Sequence, residues 1–371
     1  MPIGVPPRHI ATKKVGLNPL ATIRLASSIE SRSNESAEMK SLSMGACCAK
    51  RGVPDKPARS RRRYPSVSQP GTISQNMSAA PPLSLIDPPR SATPWNARLD
   101  LRFERRGEKT VLTHNEHAGP LQVQKSLFPE GAAICHLAVL HPPGGIAGGD
   151  RLIVDASLGA GAHALLTTPG ASKWYRSPGP SAEQQLRFCV SGAAVLEWLP
   201  RETIFFDGSR AAASLDVDLG PAARFFGWEI LCFGRRASGE QWRAGSIASR
   251  SRISIEGRLI WAESANLLAN SGFFASPVGL AGCSVSGTFL AAGFTTDPRL
   301  LAACRAAGDH GGADGEDGEA QRGITALPQV LVARYLGHSS EQAFRWFRSL
   351  WAQLRPAVLG SAAQAPRLWA T

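Results

Sequence analysis

Four carboxylates stand inside otherwise apolar runs of this 371-residue chain: Asp150 closes HPPGGIAGGD, Glu197 interrupts AAVLEWLP, Glu229 interrupts FFGWEILCF and Glu263 follows LIWA. An ionised carboxylate in such company is rarely left alone, because its desolvation must be offset by a cation or by several hydrogen bonds. Two chemistries meet that need. Lys173, Arg176, Arg201 and Arg235 can pair the acids one by one, which is a purely structural use. Alternatively, several such oxygens lining one wet space bind a hard or borderline divalent cation weakly enough to let it move.

Catalytic constellations do not form. HPPGGIAGGD lacks the Gly-Lys-Ser/Thr of a phosphate loop and is not a clean GxGxxG. Ser172 and Lys173 are adjacent, so on a strand they face opposite ways, against a Ser-Lys dyad. Neither GxSxG nor HExxH occurs. His136 and His141 are five apart, on opposite faces of an extended strand, and His114 and His117 read as exposed turn histidines. His310 with Asp314, Glu316, Asp317 and Glu319 lacks EF-hand spacing and reads as a solvated loop. No enzyme is expected.

The elements that must position these residues are strands. WNARLDLRFERRGEKTVLT alternates at period two and returns through Gly107 as a hairpin. DASLGAGAHALLTT, RFCVSGAAVLEWLP, DVDLGPAARFFGWEI and ISIEGRLIWAES each read strand, glycine turn, apolar strand. Their turn glycines Gly159, Gly192, Gly220 and Gly257 are spaced by 33, 28 and 37 residues. A loose period near 30 implies a mainly β protein of layered sheets or an irregular β-helix. About two C-terminal helices follow. Asp297 and Pro298 open the first, which ends at Gly308. The second starts at the capping box Ser339-x-x-Gln342, buries Phe344, Phe347, Trp351 and Leu354, and stops at Pro356, with Trp346 and Trp369 on the outer side. ALPQVLVARYLG between them reads as one final strand.

Residues 1–90 hold 14 Lys/Arg against 5 Asp/Glu, so most of the net charge of +12 belongs to them and the rest of the chain carries only +3. That tail is Pro-, Ser- and Arg-rich and reads as disordered, with Met77 as an alternative start; residues 91–371 form a single β-rich domain with an acidic variable loop at 308–320. A nearly balanced body gives no support for a nucleic-acid partner. No window approaches 18 continuous apolar residues and no secretory signal is present, so neither membrane nor export is expected. Seven cysteines without a CxxC pair suit free thiols in a reducing, cytoplasmic compartment.

HLAVLHPPGGIAGGD, LLTTPGASKWYRS, LEWLPRETIFFDG and GWEILCFGRRASGE, in that order, resemble the urease accessory protein UreD (UreH) family nearly phrase for phrase, from about Trp95 to Trp369. The resemblance implies a non-enzymatic chaperone for urease maturation. It would bind apo-urease and, through UreF, recruit the nickel-carrying GTPase UreG. It also implies no tightly bound cofactor and nickel in transit through an internal passage. Asp150, Glu229 and Glu263 are the expected transient nickel ligands, and Ser172 and Lys173 the expected lining residues. Two other readings stay open: a scaffold that shapes the urease complex and conducts nothing, and a solenoid enzyme or ligand-binding protein.

Overall fold

A computed structural model describes residues 94–309 and 320–370 of the chain. The tail and most of the acidic connector lie outside the described residues. Strands are β1 (Asn96–Arg106), β2 (Lys109–Ala118), β3 (Gln122–Val123), β4 (Ile134–Leu140), β5 (Arg151–Leu158), β6 (His163–Thr167), β7 (Ser172–Trp174), β8 (Ala182–Val190) and β9 (Val195–Trp198). They continue with β10 (Thr203–Phe205), β11 (Ser209–Leu219), β12 (Arg224–Phe233), β13 (Gly245–Ile255), β14 (Arg258–Leu268), β15 (Val285–Ala292), β16 (Gln321–Leu327) and β17 (Val330–Gly337). Two α-helices, α1 (Pro298–Asp309) and α2 (Ser340–Leu359), complete the elements of the described residues.

The strands wind as stacked coils, a β-solenoid-like arrangement. One sheet runs β14-β13-β11-β8-β5-β1-β2, and the other β16-β17-β15-β12-β9-β6-β4-β3. Arg151 pairs in parallel with Glu183, Ala182 with Ala211 and Ser209 with Gly245, so successive coils are 32, 29 and 36 residues long. The loose period of the turn glycines is this coil length. β7, β10 and the end of β12 stack as a short third face, because β12 is long enough to pair β9 with its first half and β10 with its last residues.

Period-two alternation aims one side of each strand between the sheets. Leu152, Val154, Ala156 and Leu158 of β5 are all buried there. Stacking aligns like residues into rows: Phe103, Leu158, Val190, Leu219 and Ile255 form one apolar ladder through five strands. The outer face of the second sheet is apolar too. Its Phe226, Trp228, Ile230 and Phe289 pack against Phe344, Phe347, Leu350 and Trp351 of α2.

Several local expectations need correction. Pro356 does not stop α2; it sits within the last turn, and the helix ends at Gly360 (φ 69°), whose N–H bonds Pro356 O. The proline removes one i→i−4 bond, but only the final turn follows it and the Gly360 N–H closes that turn. Trp346 and Trp369 are buried, not outward-facing, because Tyr335 and Trp228 pack on them. The final strand is a hairpin, β16 turning at Gln329 (φ 64°) into β17. β2 runs on through Ala118, so His114 and His117 lie on a strand. The caps stand as expected: Asp297 Oδ1 accepts from Arg299 N (2.7 Å) and Ser339 Oγ from Gln342 N (3.2 Å).

Candidate functional site

Two interior rows lose their apolar character in the later coils. The first reads Ala97, Leu152, Gln184, Ala213, Ser249 and Ala265. The second reads Leu99, Val154, Leu186, Leu215, Ser251 and Glu263. In the opposite sheet, Leu137, Leu166 and Trp198 give way to Gly227 at the same level. Small residues facing small residues cannot fill a gap of about 10 Å between sheets. A cavity of about 780 Å³ opens there. Its lining includes polar Gln184, Ser249, Thr288 and Ser286. At about 30 Å³ each it has room for roughly two dozen waters.

Glu229, Glu263, Ser172 and Lys173 all line this cavity. On the second sheet Glu229, Thr288, Arg334 and Gly323 are side-by-side neighbours in one row. Arg334 Nη1 donates to Thr288 Oγ1 (3.0 Å), and Nη2 crosses the gap to Glu263 Oε1 (2.8 Å). Trp261 lies 5.7 Å from the guanidinium. The Glu229 side chain makes no hydrogen bond or ion pair to any described residue, though its backbone pairs in the sheet. Its side chain is exposed to a water-sized probe and lines the cavity. Burial, reinforced by the Glu263 charge, pushes Glu229 up to about 7 against the pull of Arg334.

Asp150 is placed elsewhere. It is 3 % exposed and outside the cavity lining. Oδ1 accepts from Trp95 N (2.8 Å) and Oδ2 from Ala147 N (2.8 Å), so both oxygens are spent on tying β1 to the glycine loop. A Cβ on Gly148 would lie 2.0 Å from Ser177 Oγ, and Gly149 has φ 90°, which explains the glycines of this loop as packing and turn devices. The loop pairs with β7 through Ile146 N and Lys173 O (2.7 Å), and His141 and Ile146 add to the cavity wall. Asp150→Ala is therefore expected to cost about 1–3 kcal/mol by removing the two hydrogen bonds that tie Trp95 and Ala147 to a buried carboxylate. Thermal unfolding would register the loss.

Glu197 takes the structural course. It is wholly buried and accepts from Trp351 Nε1 (2.6 Å) and Arg355 Nη2 (3.0 Å), with His163 Nε2 at 2.6 Å. The pairs drawn from nearby sequence do not form. Arg176 meets Asp207, Arg201 meets Glu202 and Arg235 meets Glu240, while Glu197 and Glu263 find Arg355 and Arg334. Strand alternation sends each nearby base to its own neighbours, and the C-terminal hairpin and helix bring the true partners. Arg334 was not legible as a site residue; its one signal is a lone base within the apolar run VLVARYLG.

Among the described residues, no group of three or more His, Cys, Asp or Glu is placed to hold a metal tightly. Cys135, Cys232, Cys283 and Cys304 are free thiols. No helix among the described residues is long and apolar enough to cross a membrane.

The family model described as UreD urease accessory protein matches residues 96–370. Relatives named urease accessory protein UreD include one from Dechloromonas aromatica, 50% identical over 77% of this chain and 98% of its own length. That of Azoarcus sp. is 48% identical over 75% of this chain and 94% of its own length. That of Delftia acidovorans is 42% identical over 80% of this chain and its full length. With a family match across nearly all the described residues, the chain belongs to the UreD family of urease accessory proteins, accessory to an enzyme and not itself one.

Proposed function

We propose that the chain is a urease maturation chaperone that binds apo-urease, works with UreF and UreG in the cytoplasm, and passes nickel through the cavity between its two sheets. The observation that carries the reading is Glu229. An unpaired carboxylate, beside the Glu263–Arg334 pair and facing a space large enough for water, has no hydrogen bond or ion pair of its own and offers free oxygens to a passing cation. Carboxylate and hydroxyl oxygens hold a borderline divalent ion loosely, whereas thiolate and imidazole ligands hold it hard. The lining suits transit: it contains one histidine, His141, and no cysteine among the described residues. Ser172 and Lys173 form its edge at β7.

The test is Glu229→Gln and Glu263→Gln in the host, scoring urease nickel content and activity alongside recovery of the accessory complex. Each is expected to lower nickel loading several-fold with the complex intact. Normal loading with an intact complex would remove the passage and favour a scaffold that only shapes the urease surface.

A further inference from the structure

The cavity holds a feature that a simple cation path would not want: a permanent positive charge. Among the described residues, strand alternation aims the charged side chains of Glu229, Glu263 and Arg334 between the two sheets at this level, and Lys173 and Arg322 also line the space. Arg250 is turned the other way and pairs with Asp216 on the outer face (3.1 Å). A guanidinium does not lose its proton in proteins, so Arg334 cannot step aside by neutralisation. It can only move.

We propose that Arg334 is a tethered counter-cation: it holds the place of a divalent ion at Glu263, and an arriving ion displaces it to bind between Glu263 and the unpaired Glu229. This rests on the passage reading and names the residue that sets how loosely the ion is held.

Three observations support the exchange. The ion pair to Glu263 runs from Nη2 to Oε1, and Glu263 Oε2 accepts no hydrogen bond from the described residues. The Arg334 side chain is 38 % exposed, so its release does not require the core to open. Thr288 Oγ1 and the Trp261 ring already touch it from other sides and can keep it after displacement. Any ion must compete with the tether, which keeps its affinity low and its release fast, as transit requires.

The experiment is equilibrium dialysis of the purified full-length chain against nickel(II), paired with nickel transfer to apo-urease. Arg334→Gln is expected to bind nickel about tenfold more tightly and to deliver it more slowly. Thr288→Val, which removes one support of the guanidinium without touching either acid, is expected to shift both in the same direction by less, and it carries the test if Arg334→Gln fails to fold. Unchanged affinity in both, with Glu229→Gln and Glu263→Gln still weakening binding, would overturn the counter-cation and leave the passage standing. No change in any of the four, with normal loading of urease, would overturn both.

Discussion

Arg355→Leu is expected to destabilise the protein by about 3–5 kcal/mol, a large share of the total stability of a typical domain. Arg355 is fully buried on α2 and donates to both Glu130 and Glu197, and also to the carbonyl of Ala362. His136 adds to Glu130 (2.6 Å), and His163 and Trp351 add to Glu197. Leucine would leave two carboxylates in the core with too few donors. For a body of this size the loss corresponds to a fall of about 10 °C in the unfolding midpoint, read by calorimetry. A companion Glu130→Gln, Glu197→Gln background should recover part of it, since removing the whole set of charges costs less than orphaning some of them.

The same network sets an acid limit. Burial works to raise Glu197, but the His163 hydrogen bond and charge, then Arg355 and Trp351, reverse this and hold it at about 2. A carboxylate depressed below its unfolded value near 4.5 stabilises the fold fully above that pH. Its contribution, about 3 kcal/mol, is lost as pH falls from about 4.5 towards 2. Unfolding followed against pH should steepen in that window and flatten in Glu197→Gln.

Filling the cavity should uncouple stability from function. Ala213→Phe with Ser249→Phe places two rings in neighbouring interior positions, and neither native side chain makes a hydrogen bond there. Occupying empty volume beside apolar walls is expected to leave stability within about 1 kcal/mol. Nickel loading of urease should drop at least about tenfold, a barrier change near 1.4 kcal/mol. Metal content of urease from cells carrying the variant decides the matter. Full loading by a folded, plugged protein would point to the scaffold reading.

Much of the architecture was legible before any coordinates. Alternation in β1 and β5 and the spacing of Gly159, Gly192, Gly220 and Gly257 reflect local backbone geometry, so they survive as the coil stack. Asp297 and Ser339 act within one turn of themselves and cap as their neighbours dictate. What failed was non-local. β16 is held by pairing with β17 and carries little pattern of its own. Trp346 and Trp369 are covered by residues of distant strands.

The carboxylates divide along the same line. By itself the sequence determined that Asp150, Glu197, Glu229 and Glu263 sit in apolar company and need compensation, because the cost of desolvating charge follows from immediate surroundings. Only the tertiary structure decided how each is compensated. Asp150 is bonded by two backbone amides, Glu197 by a helix 158 residues away, and Glu263 by Arg334 across the gap; Glu229 is left facing the cavity. Which residues stand opposite one another depends on coil register and sheet stacking, and spacing along the chain does not encode those distances.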